Sequence, residues 1–290
     1  MKQVVIISGK GGTGKTVISA CFATLPPQKV MADADVDAAN LHILLDPMIQ
    51  ETHAFSGGSK AQIDPQACTG CGECKEVCRF DAVEEGESGF RIDPLYCEGC
   101  SVCSHICPVE AITMEPGISG HWFVSQTQYG PFVHAKLGAG EENSGKLVTE
   151  VRKKAKDIAQ EKNLSLVVID GPPGIGCPVI ASLSGTDLAL VVTEPSLSGI
   201  HDMQRVIRMA QHFRTQTACC INKYDLNLQQ TARIERWCEE ESVPILGKIP
   251  YDEAVIESLT RMIPLTESEH SPAGEMIKSL WRELDHLIKE

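Results

Sequence analysis

Short apolar segments alternate along most of the chain with amphipathic segments of helical length. Continuous apolar runs occur at residues 2–8, 30–32, 164–169, 188–193 and 217–221. Helical patterns occur at residues 17–25, 146–162, 199–213, 228–241 and 273–289. Continuous apolar runs predict strands that are buried on both faces. Their alternation with helices predicts an α/β fold, in which helices cover both faces of a mostly parallel sheet.

A repeat with a period of 29 residues interrupts this alternation between residues 58 and 117. Ile63-Asp64-Pro65 recurs as Ile92-Asp93-Pro94, and four cysteines of the first copy recur in the second. Glycine- and proline-containing segments flank the repeat, as expected at domain junctions. We therefore expect a duplicated small domain at residues 58–117, inserted into an α/β domain that residues 1–57 and 118–290 form.

The composition is that of an acidic globular protein. The 290 residues are 42% hydrophobic and carry a net charge of −13, which disfavours nucleic acid as a partner. The repeat contributes −7, from four basic and eleven acidic side chains, and this favours a basic protein as its partner. No run reaches the roughly 18 apolar residues of a membrane-spanning helix, and the first apolar run is too short for a signal peptide. We therefore expect a cytoplasmic protein without membrane insertion.

A glycine-rich segment joins the first predicted strand to the first predicted helix. It reads Gly9-Lys10-Gly11-Gly12-Thr13-Gly14-Lys15-Thr16 and matches the phosphate-binding pattern G-x-x-x-x-G-K-[ST]. Glycines allow backbone N–H groups to surround phosphate oxygens, and the helix N-terminus adds positive potential. Lys15 is predicted to contact the β- and γ-phosphates and Thr16 to ligate Mg²⁺. The alternative is a glycine-rich turn with an incidental lysine.

An aspartate follows a second apolar strand directly. Asp170 comes after Val167-Val168-Ile169 and before Gly171-Pro172-Pro173-Gly174. A carboxylate at the C-terminal end of such a strand is the expected second contact of the Mg²⁺ ion in phosphate-binding-loop enzymes. The alternative interpretation is an aspartate that caps the next helix.

A second lysine in the loop gives the sequence a more specific resemblance. Lys10 marks the deviant Walker-A class, and the chain resembles the MinD/ParA/Mrp superfamily of P-loop ATPases, which includes the nitrogenase iron protein. The resemblance implies an ATP-dependent homodimer in which Lys10 reaches the nucleotide of the partner. It also implies catalytic roles for Lys10, Lys15 and Asp35, with Asp35 orienting the attacking water. Without the resemblance, Asp33, Asp35 and Asp37 form a strand-end cluster whose members cannot be ranked.

A further motif bears on the identity of the nucleotide base. Asn222-Lys223-Tyr224-Asp225 follows a predicted strand and resembles the guanine-binding N-K-x-D motif of GTPases. In the deviant Walker-A family the matching asparagine contacts adenine. We therefore expect Asn222 to bind the base and favour ATP, with GTP as the alternative, because a short motif alone is weak evidence.

Eight of the 13 cysteines lie in the repeat, with the spacing of a bacterial ferredoxin. The first copy contains Cys68, Cys71, Cys74 and Cys78, and the second contains Cys97, Cys100, Cys103 and Cys107. In two-cluster units of this kind, the fourth cysteine of each run ligates the other cluster. The predicted ligands of the first [4Fe–4S] cluster are Cys68, Cys71, Cys74 and Cys107. Those of the second are Cys97, Cys100, Cys103 and Cys78.

The cysteine pattern also leaves alternatives open. Structural zinc uses C-x₂-C pairs as well, although two consecutive four-cysteine runs are not a zinc-ribbon spacing. Arg79 replaces the proline that usually follows the fourth cysteine, without removing a ligand. Outside the repeat, Cys177 lies just after the Gly171–Gly174 turn but has no C-x-x-C partner, so a ligand role and a structural role both stay possible for it.

Three functions are compatible with these motifs. The favoured one is an ATPase whose Mg-ATP-dependent dimer switch is coupled to electron transfer through two [4Fe–4S] clusters to a redox partner. The second is an Mrp-type iron–sulfur cluster carrier or scaffold, although four cysteine ligands per cluster make release difficult. The third is a MinD/ParA-like positioning switch in which the ferredoxin unit is a redox sensor or docking surface.

Overall fold

The computed structural model describes residues 1–86, 89–138, 141, 144–268 and 270–289. These residues form two compact units. The first, called the sheet unit below, comprises Met1–His53, Trp122–Lys136 and Ser144–Glu290, and the second, the cysteine unit, comprises Ala54–His121 and Leu137–Asn143. Within the described ranges, no helix is both long enough and apolar enough to cross a membrane.

The strands and helices have the following bounds. The strands are β1 Lys2–Ser8, β2 Lys29–Asp33, β3 Met48–Phe55, β4 Gly58–Ile63, β5 Val83–Gly86, β6 Gly89–Ile92, β7 Ile112–Gly117, β8 Gly120–Thr127, β9 Gly130–Leu137, β10 Leu166–Pro173, β11 Leu188–Thr193, β12 Gln216–Asn222 and β13 Ile245–Ile249. The helices are α1 Lys15–Thr24, α2 Leu41–Leu45, α3 Glu73–Glu76, α4 Val102–Ile106, α5 Ser144–Glu161, α6 Cys177–Leu183, α7 Leu197–His212, α8 Leu228–Glu240, α9 Ala254–Thr260 and α10 Pro272–Lys289.

A nine-stranded sheet dominates the first unit. Its strand order is β13-β12-β11-β1-β10-β2-β9-β8-β3, and β1 pairs in parallel with both β10 and β11. The parallel pairing continues outward through β2 and β9 on one side and through β12 and β13 on the other. Val4, Val5, Ile6 and Ile7 of the central strand are completely buried, as expected for a parallel sheet covered on both faces. The predicted α/β class with a mostly parallel sheet is confirmed.

One edge of the sheet contains strands that the apolar pattern did not predict. A two-residue turn, Gln128-Tyr129, joins β8 to its sheet neighbour β9, and so tight a connection requires an antiparallel pair. The edge strand β3 is largely exposed. Exposed strands carry polar residues on their solvent side, so they do not produce the continuous apolar runs from which the central strands were predicted.

Helices pack onto the sheet and complete its hydrophobic core. The ring of Phe22 on α1 meets that of Trp281 on α10 edge to face, with a centroid distance of 4.9 Å. Side-chain caps fix the starts of two helices. The Ser196 hydroxyl accepts the Gly199 N–H at the start of α7, and Asn227 does the same for the Gln230 N–H at the start of α8. These caps satisfy backbone donors that have no partner within a helix.

The cysteine unit is built from the two copies of the repeat. Antiparallel pairing joins β4 to β7 and β5 to β6, so each small sheet combines one strand from each copy. The copies also exchange equivalent backbone hydrogen bonds. Asp64 N–H donates to Ala111 O, and Asp93 N–H donates to Ala82 O, both at 2.8 Å. The two copies therefore interlock rather than fold as separate halves.

Candidate functional site

The glycine-rich loop connects the central strand β1 to helix α1. Gly14 directly precedes the helix with a φ of 89°, a left-handed conformation that favours glycine. A Cβ atom at this residue would lie 2.2 Å from Nδ2 of Asn222, so a side chain here would also collide. Space is open beside Gly11 and Gly12. The loop thus presents its backbone to solvent at the N-terminus of a helix, which is the geometry of a phosphate site.

The last two residues of the loop motif, Lys15 and Thr16, lie in different environments. Lys15 begins α1 and is buried, whereas Thr16, the next residue of the helix, is half-buried. The Lys15 ammonium lies 2.9 Å from Oδ1 of Asp170 and 3.5 Å from Oδ2 of Asp35. Burial alone would lower the pKa of Lys15, but the two carboxylates outweigh this effect and raise it. Lys15 is therefore a buried cation that two carboxylates neutralise.

Asp170 has a buried oxygen that the protein leaves without a hydrogen bond. Its Oδ1 atom accepts from Lys15 and, at 2.7 Å, from the Ser19 hydroxyl. Its Oδ2 atom and the Thr13 hydroxyl are both buried and have no hydrogen-bond partner among the described residues. An unpaired buried polar atom is costly and marks a place for a ligand or ion. A Mg²⁺ ion fits this requirement, because its preferred ligands are oxygen atoms.

The structure distinguishes the three aspartates that follow β2. Asp33 is fully buried and accepts the backbone N–H groups of Asp35 and Leu41, so it organises the segment that leads into α2. Burial, and then the nearby Asp170, raise its pKa well above the ordinary value. Asp35 contacts Lys15, and burial raises its pKa despite that contact. Asp37 is exposed. Asp35 is thus the member of the cluster that reaches the loop lysine from the edge of the buried region.

Lys10 contacts groups of its own chain in this structure. Its ammonium lies 2.7 Å from Oε1 of Glu194 and donates to the hydroxyls of Ser196 and Ser198 at 3.2 and 3.0 Å. Lys223 also contacts Glu194, at 3.4 Å. Burial would raise the pKa of Glu194, but the two lysines lower it. The motif search did not identify Glu194, although its place after the apolar strand β11 is the same kind of position that identified Asp170.

Asn222 and Asp225, the two base-binding candidates, are both engaged by the protein. The Asn222 amide donates to Thr13 O at 2.7 Å, and so braces the glycine-rich loop from the end of β12. Asp225 accepts the Tyr251 N–H at 2.8 Å. Through this one carboxylate oxygen, Asp225 holds the loop after β13. The preference for ATP over GTP stays a prediction.

Fold and site together define a nucleotide-binding protein of the P-loop class. The family described as "CobQ/CobB/MinD/ParA nucleotide binding domain" matches residues 4–265. The chain belongs to this family, the MinD/ParA superfamily of P-loop ATPases.

Known relatives differ in how much of the chain they match. An uncharacterized protein of Methanocaldococcus jannaschii is 35% identical over 99% of this chain and 97% of its own length. The structure of the Pyrococcus horikoshii septum site-determining protein MinD, complexed with Mg-ADP, superposes with a TM-score of 0.61 at 17% identity and covers 99% of this chain and 96% of that one. An iron–sulfur cluster carrier protein of Pyrococcus horikoshii is 26% identical over 50% of this chain and 54% of its length.

The cysteine unit contains two cavities, each lined by four cysteines. The first is lined by Cys68, Cys71, Cys74 and Cys107. The second is lined by Cys78, Cys97, Cys100 and Cys103. Each cavity therefore combines three cysteines of one copy with the fourth cysteine of the other, the grouping that the ferredoxin spacing predicts. The binding of iron and sulfide in these cavities stays a prediction.

The donor atoms around each cavity fit a cluster better than a single metal ion. Burial, followed by the charges of Cys68 and Cys71, raises the pKa of Cys74. Burial, Cys97 and Cys100 act in the same way on Cys103. Four thiolates around one cavity thus repel each other unless a cation neutralises them. Among the residues that the structure describes, no three His, Cys, Asp or Glu side chains converge as they would on a single metal ion.

Thiolates need not converge on one atom to hold a cubane, since each of its four irons binds a different cysteine. Backbone N–H groups also point at the sulfur atoms. Ala111 N–H donates to Sγ of Cys107 at 3.3 Å, and Ala61 N–H to Sγ of Cys97 at 3.5 Å. Such hydrogen bonds stabilise the negative charge of a cluster. The donor set therefore fits a [4Fe–4S] cluster in each cavity. Cys177, by contrast, is an exposed residue at the start of α6.

Proposed function

We propose that this protein is a Mg-ATP-dependent dimer switch that is coupled to electron transfer through two [4Fe–4S] clusters. In this proposal, residues 58–117 are a ferredoxin-like domain inserted into a deviant Walker-A ATPase. The observation that carries the proposal is the pair of four-cysteine cavities in a chain with a phosphate-binding loop. A cluster in such a cavity supplies reversible one-electron chemistry.

The charges around Lys15 suggest how nucleotide changes the site. Without nucleotide, Asp170 and Asp35 neutralise Lys15. The phosphates of ATP compete for the same lysine and draw its ammonium away from the carboxylates. Asp170 then becomes available to Mg²⁺ together with Thr16, and Asp35 becomes available to orient the attacking water. The same exchange of ion pairs thus binds the nucleotide and frees the carboxylates that the reaction needs.

Lys10 and Asn222 have the remaining roles in the nucleotide site. In the proposed dimer, Lys10 leaves Glu194 and contacts the phosphates bound by the partner, which makes ATP a bridge between the protomers. Asn222 contacts adenine after exchanging its hydrogen bond to Thr13. The Mg-ADP complex of the related Pyrococcus horikoshii MinD supports Mg-ATP as the ligand of this chain.

Two alternatives have specific support. The partial similarity to an iron–sulfur cluster carrier favours cluster delivery, but four cysteines around each cavity favour retention over release. The structural likeness to MinD favours a positioning switch that uses the cysteine unit as a sensor or docking surface.

The proposal is tested with anaerobically purified protein. Two [4Fe–4S] clusters require about eight iron and eight sulfide per chain. A reductive titration followed by EPR, with and without Mg-ATP, then measures the coupling. A nucleotide-dependent shift in cluster potential, with the reciprocal change in ATP affinity, is the expected result. A zinc-containing protein without sulfide would contradict the clusters, and unchanged potentials would favour the positioning switch.

A further inference from the structure

We propose that the second cysteine cavity is where electrons enter or leave the protein. Its partner is a one-electron carrier protein with an apolar contact surface bordered by basic side chains. This inference rests on the proposed function, because it requires clusters in the cavities, and it goes further by assigning different roles to the two copies of the repeat.

The two copies present different surfaces just before their cysteine runs. In the second copy, Leu95 and Tyr96 precede Cys97 and are 67% and 61% exposed. The equivalent residues 29 positions earlier are Gln66 and Ala67. The backbone of this turn is the same in both copies. Gln66 N–H donates to Asp64 in the first copy and Leu95 N–H donates to Asp93 in the second, both at 2.8 Å. The difference is therefore confined to the exposed side chains. Two large apolar side chains in such positions contribute nothing to the core.

Three other exposed apolar side chains line the second cavity itself. Val77, Phe80 and Val102 line the second cavity and are 37%, 42% and 44% exposed. The counterpart of Val102 in the first copy is the charged Glu73. Grouped exposed apolar residues mark interaction surfaces, and electron-transfer encounters use small ones. The apolar surface around the second cavity is therefore suited to brief contact with a redox partner.

Acidic side chains border this apolar surface. Glu76 and Asp81 are exposed beside Val77 and Phe80 in the chain, and Glu98 lines the second cavity. Arg79 is the basic residue of this segment, so the balance stays negative. Charges at the rim of an interface chiefly steer the approach of a partner of opposite sign. The complementary partner is therefore basic around its own apolar contact.

Lys60 supplies an independent reason to choose the second cavity. Its ammonium donates to Cys97 O at 2.9 Å, and its side chain is only 21% exposed. Lys60 lies in the first copy, and its equivalent in the second copy is Gly89, which lies against Cys68 of the first cavity and has no side chain. A cation beside a cluster stabilises the reduced state, which carries one more negative charge. Glu141, 3.5 Å from Lys60, offsets part of this effect. The cluster of the second cavity is thus the better site for an added electron.

The transfer itself is a single outer-sphere step. One electron passes between the partner and the cluster, so that one is oxidised as the other is reduced, and no bond forms or breaks. The partner can be the donor or the acceptor, since the surface argument is the same for both directions.

The test uses a basic c-type cytochrome as the acceptor and the intact, cluster-loaded protein as the donor. The variant L95Q/Y96A gives the second copy the residues of the first without changing the charge. Its mirror image, Q66L/A67Y, is the matched control. We expect L95Q/Y96A to lower the rate constant of cytochrome reduction about tenfold, the equivalent of losing about 1.4 kcal/mol of contact energy. We expect the control to stay within about twofold of the parent protein.

Two further readouts separate the possible failures. Oxidation by the small acceptor methyl viologen and the iron content should be the same in all three proteins. Unchanged cytochrome reduction in L95Q/Y96A would overturn the assignment of the docking surface. A loss of cytochrome reduction that is matched by an equal loss of iron in the same variant would overturn it as well. Protein without iron and sulfide would instead overturn the proposed function, so the two failures are distinguishable.

Discussion

The sheet unit and the cysteine unit are stabilised by different means. Among the described residues, one core cluster of the sheet unit contains 27 buried apolar side chains, including Phe22 and Trp281. The core of the cysteine unit contains six, of which Cys74 and Cys97 are themselves predicted cluster ligands. Apolar burial alone rarely stabilises so small a unit. From this comparison we expect the sheet unit to fold on its own core, and the cysteine unit to depend for its stability on the clusters proposed for its cavities.

The same contrast holds for the charges of the two units. In the sheet unit, the buried cation Lys15 is paired with the carboxylates of Asp170 and Asp35. In the cysteine unit, burial and then the neighbouring thiols raise the pKa values of Cys74 and Cys103. In the proposed function, the first unit therefore exchanges ion pairs when it binds its nucleotide, whereas the second requires a cation to neutralise its thiolates.

The largest expected effect is the loss of structure in the cysteine unit when iron is removed. The C74S/C103S variant, which loses one ligand from each cavity, should lose hydrogen-exchange protection in peptides from residues 58–117. Metal binding supplies the folding free energy of such small units, on the order of 10 kcal/mol for structural metals. Peptides of the sheet unit should keep their protection, as should both units in the control variant Cys177→Ser. If peptides of the cysteine unit stayed protected in the iron-free variant, the cysteine unit would not depend on metal for its stability, and the contrast between the two units would be wrong.

The next effect concerns the paired charges of the sheet unit. Lys15→Ala should lower ATP hydrolysis by about a thousandfold, because preorganised charges on the transferred phosphoryl group contribute most of the catalysis. It also leaves the carboxylates of Asp170 and Asp35 facing one another without a cation. Lys278→Ala, which removes an exposed lysine paired with Glu275 on α10, is the control. Measurement of the kcat of both variants checks the prediction, and equal activities would exclude a catalytic role for Lys15.

The sequence predicted those features whose residues are close together in the chain. The loop of residues 9–16 and the cysteine runs are short segments in which chemistry and spacing stand side by side. The contact between Lys10 and Glu194 joins residues 184 positions apart and depends on the sheet order. Likewise, Lys60 reaches Cys97 only because β4 packs beside the second cysteine run. Such contacts arise from tertiary packing and leave no periodic signal.

Segments with one exposed face were missed for a related reason. Strand β3 is the exposed edge of the sheet, so its polar residues resemble a loop. Hydrophobic periodicity identifies elements through burial, and it fails where burial is slight.

A smaller effect tests the stability of the sheet unit through a buried histidine. His134 on β9 bonds to the Ser125 hydroxyl at 3.0 Å and stacks on Phe132 and His42. Burial, and then His42, lower its pKa from 6.5 to about 4. The unfolded chain therefore binds a proton in this pH range that the folded protein does not. The contribution of His134 to the free energy of unfolding is therefore fully present above pH 6.5. It decreases by about 2 kcal/mol as the pH falls toward 4.

Chemical denaturation at several pH values, compared between the parent protein and His134→Asn, isolates this contribution. The parent should lose more stability than the variant between pH 6.5 and 4. His201→Asn, which replaces an exposed histidine, should follow the parent. Parallel curves for the parent and His134→Asn would contradict a buried, neutral His134.

The smallest effect sharpens the comparison within the cysteine unit itself. Lys60→Gln removes the cation that donates to Cys97 O, while a long polar side chain stays in its place. The potential of the second cluster should become lower, because its reduced state loses a favourable charge. At a fixed potential, its ratio of reduced to oxidised cluster should fall about tenfold relative to that of the first cluster. This corresponds to about 1.4 kcal/mol of lost stabilisation of the reduced state. Lys75→Gln, at an exposed lysine of α3, is the control for a general loss of positive charge. A potentiometric EPR titration measures both clusters together. An equal shift of both would mean that Lys60 acts only through net charge, and the two copies would then be equivalent in their electrostatics despite their different surfaces.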